Sequence, residues 1–415
     1  MKINRAYKVE LKPNNKQRTL LEKSAGTARF AYNWGLNKRI NQYKEEKTTA
    51  SAIDQHKELC TVKKTEFPWM YEVSKMAPQE ALRDLDSAFK NFFRGIKKGQ
   101  KIGFPKFKSR HKSKSSFTIS FGFYVTNETI NIPKVGRVRL KEKGYIPTKN
   151  VKINSMTISK TADRWFISVQ VEQDIPDLTN IPESVLGIDV GIKTLATCSD
   201  GEVFENNKYL KKSKKRLSHA QKNLSGKKFN KETKKSSRNR DKAKLKVQKI
   251  YYRISNQRKD AIHKMTSILA KTKPRYIALE DLNVSGMMKN HKLAGAIADA
   301  SFFEIRRQLL YKTAWYGGSI VDVDRFYPSS KLCRICGNIK DDLTLLDRIY
   351  ICNCGHIEDR DLNASINIEN IGLSTLSSRG IKACGESIRL QEVRDSEAVS
   401  LKQEENKDFC SAKIL

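Results

Sequence analysis

Four cysteines, Cys333, Cys336, Cys352 and Cys354, fall within 22 residues of a 415-residue chain, and no other feature limits the local fold so tightly. They form a Cys-x₂-Cys pair, then 15 residues, then a Cys-x-Cys pair. Four thiolates at such spacing suit one tetrahedral Zn²⁺ in a closed site, which is structural and leaves no position for substrate. The second pair is one residue tighter than usual, and Gly355 behind it supplies backbone freedom. His356 is the alternative to Cys354 as fourth ligand. Cys60, Cys198, Cys384 and Cys410 are scattered, so the pattern is not the disulfide framework of a short secreted chain. The expected result is a zinc-ribbon insertion over residues 329–358.

The charge is equally uneven. Lys and Arg number 80 against 45 Asp and Glu, a net +35 with a pI near 9.8. Residues 1–120 carry +16 and residues 208–264 carry +19, while 121–207 stand at −1 and 265–371 at +1. Such an excess points to nucleic acid, and its division suggests phosphate-holding surfaces around a near-neutral segment. Residues 94–114 hold nine basic residues and no acid, which fits either a phosphate-facing loop or a solvated charge run. No apolar run reaches the ~18–20 residues of a spanning helix. The start, MKINRAYKVELK, has no apolar signal segment. A cytoplasmic, nucleoid-associated protein without membrane contact is expected. The phosphate-loop, zinc-protease and acyl-transfer motifs are absent, which weakens those enzyme classes.

Hydrophobic period divides the chain. Ile3, Tyr7, Val9 and Leu11 alternate as a strand that stops at Pro13. Helical spacing follows from Lys16 to Lys98, with Ala81, Leu82, Leu85, Ala88, Phe89 and Phe92 marking one helix. Alternation returns over 115–173, through Phe117, Ile119, Phe121 and Phe123 and then through 151–159 and 165–172. This predicts a β-barrel from residues 1–14 and 115–180, with residues 15–114 as a helical insertion. Next come two strands in VLGIDVGIKTLATC, a lysine-rich helical stretch at 208–264, the strand RYIALE, a helix at 300–316 and the strand SIVDVDRF. A helix over DRDLNASINIENIG, residues 359–372, precedes a polar tail at 373–415 that reads as disordered.

Three acids stand out by position. Asp189 lies inside an apolar strand, Glu280 ends another, and Asp361 opens a helix. An acid in an apolar strand is costly unless it is paired or binds a metal. Paired Mg²⁺ ions that hydrolyse a phosphodiester need several converging carboxylates, because the hard ion takes oxygen ligands. Each acid also has a plainer role: Asp189 in a turn, Glu280 at the surface, Asp361 as a helix cap, although Asp359 could fill that last position. Asp281 and Asp324 stand in reserve.

The segments GIDVGIKTLAT, YIALEDL and RFYPSSKLCRICG…CNCG…DRDLNAS, with QEALRDLDSAFKNFF nearer the start, resemble the TnpB family of transposon-encoded proteins. The resemblance covers most of the chain and extends to the compact type V CRISPR effectors. It implies an RNase H-like nuclease domain of the RuvC type in two parts, 181–328 and 359–372, and an α/β multidomain protein overall. It implies an RNA-guided DNA endonuclease, with guide RNA and target double-stranded DNA as partners and a single protein chain in the ribonucleoprotein. Asp189, Glu280 and Asp361 match the family's acids for two catalytic Mg²⁺ ions. The region of Lys75 and Gln79 corresponds to one that helps read the duplex motif beside the target; two exposed surface residues are the plainer reading. Lys331 and Arg334 fall in the insertion that contacts target nucleic acid; both are candidate phosphate contacts and equally candidate surface charges. Tyr327 could stack on a nucleotide or pack. The alternatives are a guided DNA-binding regulator that does not cut, and a transposase that needs no RNA.

Overall fold

The computed structural model describes residues 2–100, 102–110, 112–176, 183–229, 236–272, 274–344 and 347–378. It divides into two compact units, the first running through Ile175 and the second starting at Pro176.

The first unit opens with strand β1 (Lys2–Lys12) and three helices, α1 (Asn15–Glu46), α2 (Ala52–Val62) and α3 (Met76–Lys97). Strands β2 (Ser116–Ile119), β3 (Tyr124–Val125), β4 (Thr129–Ile132), β5 (Gly136–Leu140), β6 (Lys152–Thr161) and β7 (Arg164–Asp174) follow. They form one sheet in the order β2-β6-β7-β1-β5-β4-β3. The first strand is therefore central: it runs antiparallel to β7 from Lys2↔Asp174 to Leu11↔Trp165, and it meets β5 at Leu11↔Leu140. The helices lie in the chain between that strand and the others. Leu21, Ala28 and Leu36 of α1 and Leu82 and Leu85 of α3 share one core with Val9, Ile119, Ile158 and Val169 of the sheet. One expectation needs correction. The alternation Phe117 to Phe123 is not one strand, because β2 stops at Ile119 and Gly122 turns the chain at φ +75°. Phe121 is left 52% exposed.

The second unit begins with β8 (Val185–Asp189), β9 (Thr194–Cys198), β10 (Val203–Glu205), α4 (Tyr209–Ser225) and α5 (Arg238–Lys271). Next are β11 (Tyr276–Glu280), α6 (Val284–Met287), α7 (Ala294–Ala300), α8 (Phe302–Trp315) and β12 (Ser319–Val323). It closes with the hairpin β13 (Ile349–Ile351) and β14 (Ile357–Asp359) and the helix α9 (Arg360–Ser378). Five strands form a sheet in the order β10-β9-β8-β11-β12, with β8, β11 and β12 parallel and β9 and β10 antiparallel.

Both faces of this sheet are covered, which explains why YIALE is almost wholly apolar. Leu186, Ile188, Ile277 and Leu279 point to one face and pack with Ile262, Met265 and Leu269 of α5 and Ile305 and Leu309 of α8. Val185 and Ala278 point to the other face, against Ile368 of α9. Helix α9 lies close on that face. A Cβ on Gly187 would fall 2.1 Å from the Ser365 carbonyl oxygen, and one on Gly372 would fall 2.8 Å from Ala278 Cβ. Helix α9 runs six residues past the predicted end at 372. The rest of the predicted tail, 379–415, lies outside the described residues.

The lysine-rich segment folds as α4 and α5, which share a small core of Leu217, Ala220, Val247, Ile250 and Ile254. One stripe packs and the remaining faces are basic, as the sparse apolar positions predict. No helix among the described residues is long and apolar enough to cross a membrane.

Candidate active site and metal centre

Side chains alternate across a strand. Because Val185 and Gly187 face α9, so does Asp189; because Ala278 does, so does Glu280. The parallel ladder pairs Leu279 with Ile188, and the two acids are the next residues on each strand. Neighbouring strands lie ~4.8 Å apart, so the register alone sets these carboxylates side by side. Helix α9 brings Asp361 to the same place, in its first turn.

The electrostatics agree with this convergence. Burial, reinforced by the charges of Glu280 and then Asp361, raises Asp189 to about 7, with Arg360 opposing. Burial raises Glu280 too, opposed by the Ser329 hydroxyl, which donates to Glu280 Oε1 at 2.5 Å. Two buried acids that resist ionisation together, with a third carboxylate beside them, form a site suited to cations.

The plainer role of Asp361 is filled by another residue. Asp359 caps α9, its Oδ1 accepting the amides of Asp361 at 2.9 Å and Leu362 at 3.1 Å. Asp361 is thereby left for the site. Asp281 is ion-paired with Arg325. Asp324 accepts the Phe326 amide at 2.8 Å, a local turn.

Sequence reading missed three residues that hold this arrangement. Ser329 is one. Asn367 Nδ2 donates to the carbonyls of Ser329 and Leu332, both at 2.8 Å, and Asn363 Nδ2 donates to that of Leu332 at 2.7 Å. These amides tie the turn bearing Ser329 to α9. No sequence signal marks them: their burial, 0% exposed for Asn363 and 1% for Asn367, is visible only in the fold, on a helix whose polar residues would ordinarily face water.

The cysteines converge. Cys333 and Cys354 sulfurs are 3.7 Å apart, Cys336 and Cys352 sulfurs 3.5 Å, and all four lie within 4.8 Å of one another. A disulfide needs ~2.05 Å. Tetrahedral Zn²⁺ with bonds of ~2.3 Å has sulfur–sulfur edges of about 3.8 Å. The donor set and spacing therefore fit that ion. His356 is not in the group; its Nε2 sits 3.3 Å from Glu358 Oε2. Cys354, not His356, completes the four-sulfur group. Gly337 at φ +74° and Gly355 at φ +88° make the turns after each cysteine pair, so Gly355 plays the part the sequence suggests.

The other candidates divide. Lys75 and Gln79 stand at the start of α3, with the Gln79 amide donating to the Lys75 carbonyl at 3.4 Å. Lys75 is exposed, its Nζ 5.7 Å from the Phe121 ring centre. Arg334 is clamped by Glu358, with Nε and Nη2 donating at 2.6 and 2.9 Å. Lys331 Nζ reaches the Asp341 carbonyl at 3.3 Å. Tyr327 is half-buried and packs with Val185, Ala278, Val323 and Ile368. Its neighbour Phe326 is 86% exposed.

Architecture and site together define an α/β protein with a carboxylate trio and a separate four-thiol centre. Family descriptions match "Probable transposase" over residues 166–291, "Cas12f1-like, TNB domain" over 302–368 and "Helix-turn-helix domain" over 1–48. That last stretch folds here as one strand and one long helix. A protein of Streptomyces pristinaespiralis described as "Putative RNA-guided DNA endonuclease" is 36% identical over 398 residues, 94% of this chain and 93% of the relative. An Escherichia coli K12 protein, "Putative RNA-guided DNA endonuclease InsQ", is 32% identical, covering 94% of this chain and 96% of the relative. The protein in a "Cryo-EM structure of the Cas12f1-sgRNA-target DNA complex" shares the fold at a TM-score of 0.56 and 16% identity, over 89% of this chain and 99% of that one. The chain belongs to the TnpB family, as its motifs suggest.

Proposed function

We propose that this protein is an RNA-guided DNA endonuclease of transposon origin, cutting target DNA beside a short flanking motif. The observation that carries the reading is the convergence of Asp189, Glu280 and Asp361 on one face of the sheet, beneath the start of α9. The names of the full-length relatives support the guide and the substrate. The order β10-β9-β8-β11-β12, an antiparallel trio continued by two parallel strands, supports the RNase H-like, RuvC-type reading of 181–328 and 359–372. The central place of β1 supports one β-module from residues 1–14 and 115–180.

An all-oxygen donor set favours Mg²⁺. Bound there, two such ions would lower the pKa of a water so that hydroxide is available as nucleophile, and would offset charge on the leaving oxygen. The chain's part is to hold them and the phosphate. Asp189 and Glu280 are fixed by strand register, Asp361 by the close seat of α9. Ser329 aims one Glu280 oxygen and leaves the other free. The four thiolates hold Zn²⁺ and brace the segment joining β12 to α9, without taking part in cutting. Guide RNA and target DNA lie on the basic surfaces of residues 1–120 and 208–264. Lys75 and Gln79, on one side of a helix start, meet the flanking motif. Lys331 reaches phosphate, and Arg334 does so if Glu358 releases it.

The test is cleavage of a target plasmid with guide RNA and Mg²⁺. Wild type should cut, and Asp189→Ala should fall by a factor on the order of 10³ or more. Equal cutting by both would sink the site assignment. Binding without nicking would indicate a regulator, and cutting that survives removal of all RNA would indicate an independent transposase.

A further inference from the structure

Resting on that reading, we infer that Phe326 is a base-stacking residue of the nuclease site, a platform for a nucleobase of the strand being cut. Its ring is 86% exposed, the most open of the large apolar side chains among the described residues. The exposure is built in by the backbone. The Asp324 side chain accepts the Phe326 amide at 2.8 Å, and the Asp324 carbonyl accepts the Tyr327 amide at 3.0 Å. The Tyr327 carbonyl in turn accepts the Ser329 amide at 2.8 Å. Tyr327 turns into the core and Phe326 is turned out.

The turn is also fastened to the acids on both sides. Arg325, just before Phe326, is paired with Asp281, the residue after Glu280. Ser329, three residues after it, donates to Glu280 itself. Three residues of chain span at most ~10 Å. The Phe326 backbone is therefore held within about 10 Å of Ser329, whose hydroxyl donates to Glu280.

A phenyl ring in water gains nothing by exposure. It gains from a nucleobase, because aromatic stacking is sequence-tolerant and substantial per base. A guided nuclease needs that tolerance, since base pairing with the guide reads the sequence and the cutting site must accept any base. The ring would place the strand so that its phosphodiester meets the carboxylates.

The first test needs no cutting. A single-stranded oligonucleotide carrying 5-iododeoxyuridine is bound to the full-length protein in Ca²⁺ and irradiated, and the crosslink is mapped by mass spectrometry. A crosslink at Phe326 supports the inference. Bound oligonucleotide with crosslinks only at other residues, or none, overturns it, whether or not the protein proves to be a nuclease. The second test compares guided cleavage. Phe326→Leu keeps the apolar bulk without the aromatic face and should slow cutting roughly five-fold or more. Phe326→Trp should restore it, with the melting temperature unchanged throughout. A leucine variant that cuts at the wild-type rate overturns the inference; a wild type that fails to cut overturns the proposed function instead, and the crosslink then decides for Phe326.

Discussion

At the scale of single residues, the site is strained by the burial of its acids and then by their mutual charge. Asp189 titrates near 7 in the fold against ~3.9 in an unfolded chain. Below about pH 4 both states are protonated and the folded site is not penalised. As pH rises to 7 the unfolded chain ionises first, so the metal-free protein loses stability, fully so above 7. Asp189→Asn removes that titration. The variant should therefore melt higher than wild type at pH 8 without divalent ions, by the equivalent of up to about 4 kcal/mol. The gap should narrow towards pH 4, and Mg²⁺ should close it by stabilising wild type alone. Calorimetry across pH checks this; identical melting at pH 8 would contradict the shift. The acids were legible because acids do not belong in apolar strands. Ser329 was not, since its partner Glu280 lies 49 positions away and a serine in a loop ordinarily faces water. Nor could Tyr327 be told from Phe326: only the turn made by Asp324 decides which ring packs.

At the scale of elements, strand register and one helix seat do the assembling. The apolar run YIALE and the switch of period at residue 115 announced strands where strands are found. The spacing could not show that Gly187 exists for α9. Its missing Cβ lets the Ser365 carbonyl approach to a distance no side chain allows, and that approach brings Asp361 over Asp189. Gly187→Ala has backbone on the far side and nothing flexible to displace. It should cost about 1–3 kcal/mol or more and abolish cleavage, while the zinc centre and the first unit keep their structure. Urea unfolding, zinc content and plasmid cutting measured together would show it. An active alanine variant would mean that the helix can lift without parting the acids.

For the whole molecule, charge is divided from chemistry. The basic excess lies on α4, α5 and residues 1–120, away in sequence from the near-neutral stretch that carries Glu280, the thiols and Asp361. Lys211, Lys212, Lys214 and Lys215 are exposed on α4. Changing all four to glutamine should weaken nucleic-acid binding and reduce its salt slope by up to ~3–4. The Mg²⁺ dependence of cleavage at saturating guide and target should stay put. A shift in metal dependence before any change in salt slope would refute the division.

The order of the three acids also has a consequence in time. Asp361 is made 172 residues after Asp189, on the helix that completes the site. At ~5–20 residues per second, a growing chain spends roughly 10–30 s with Asp189 made and its last partner missing. The basic helices α4 and α5 are synthesised within that interval. A nascent chain thus carries its basic helices before its three acids are complete.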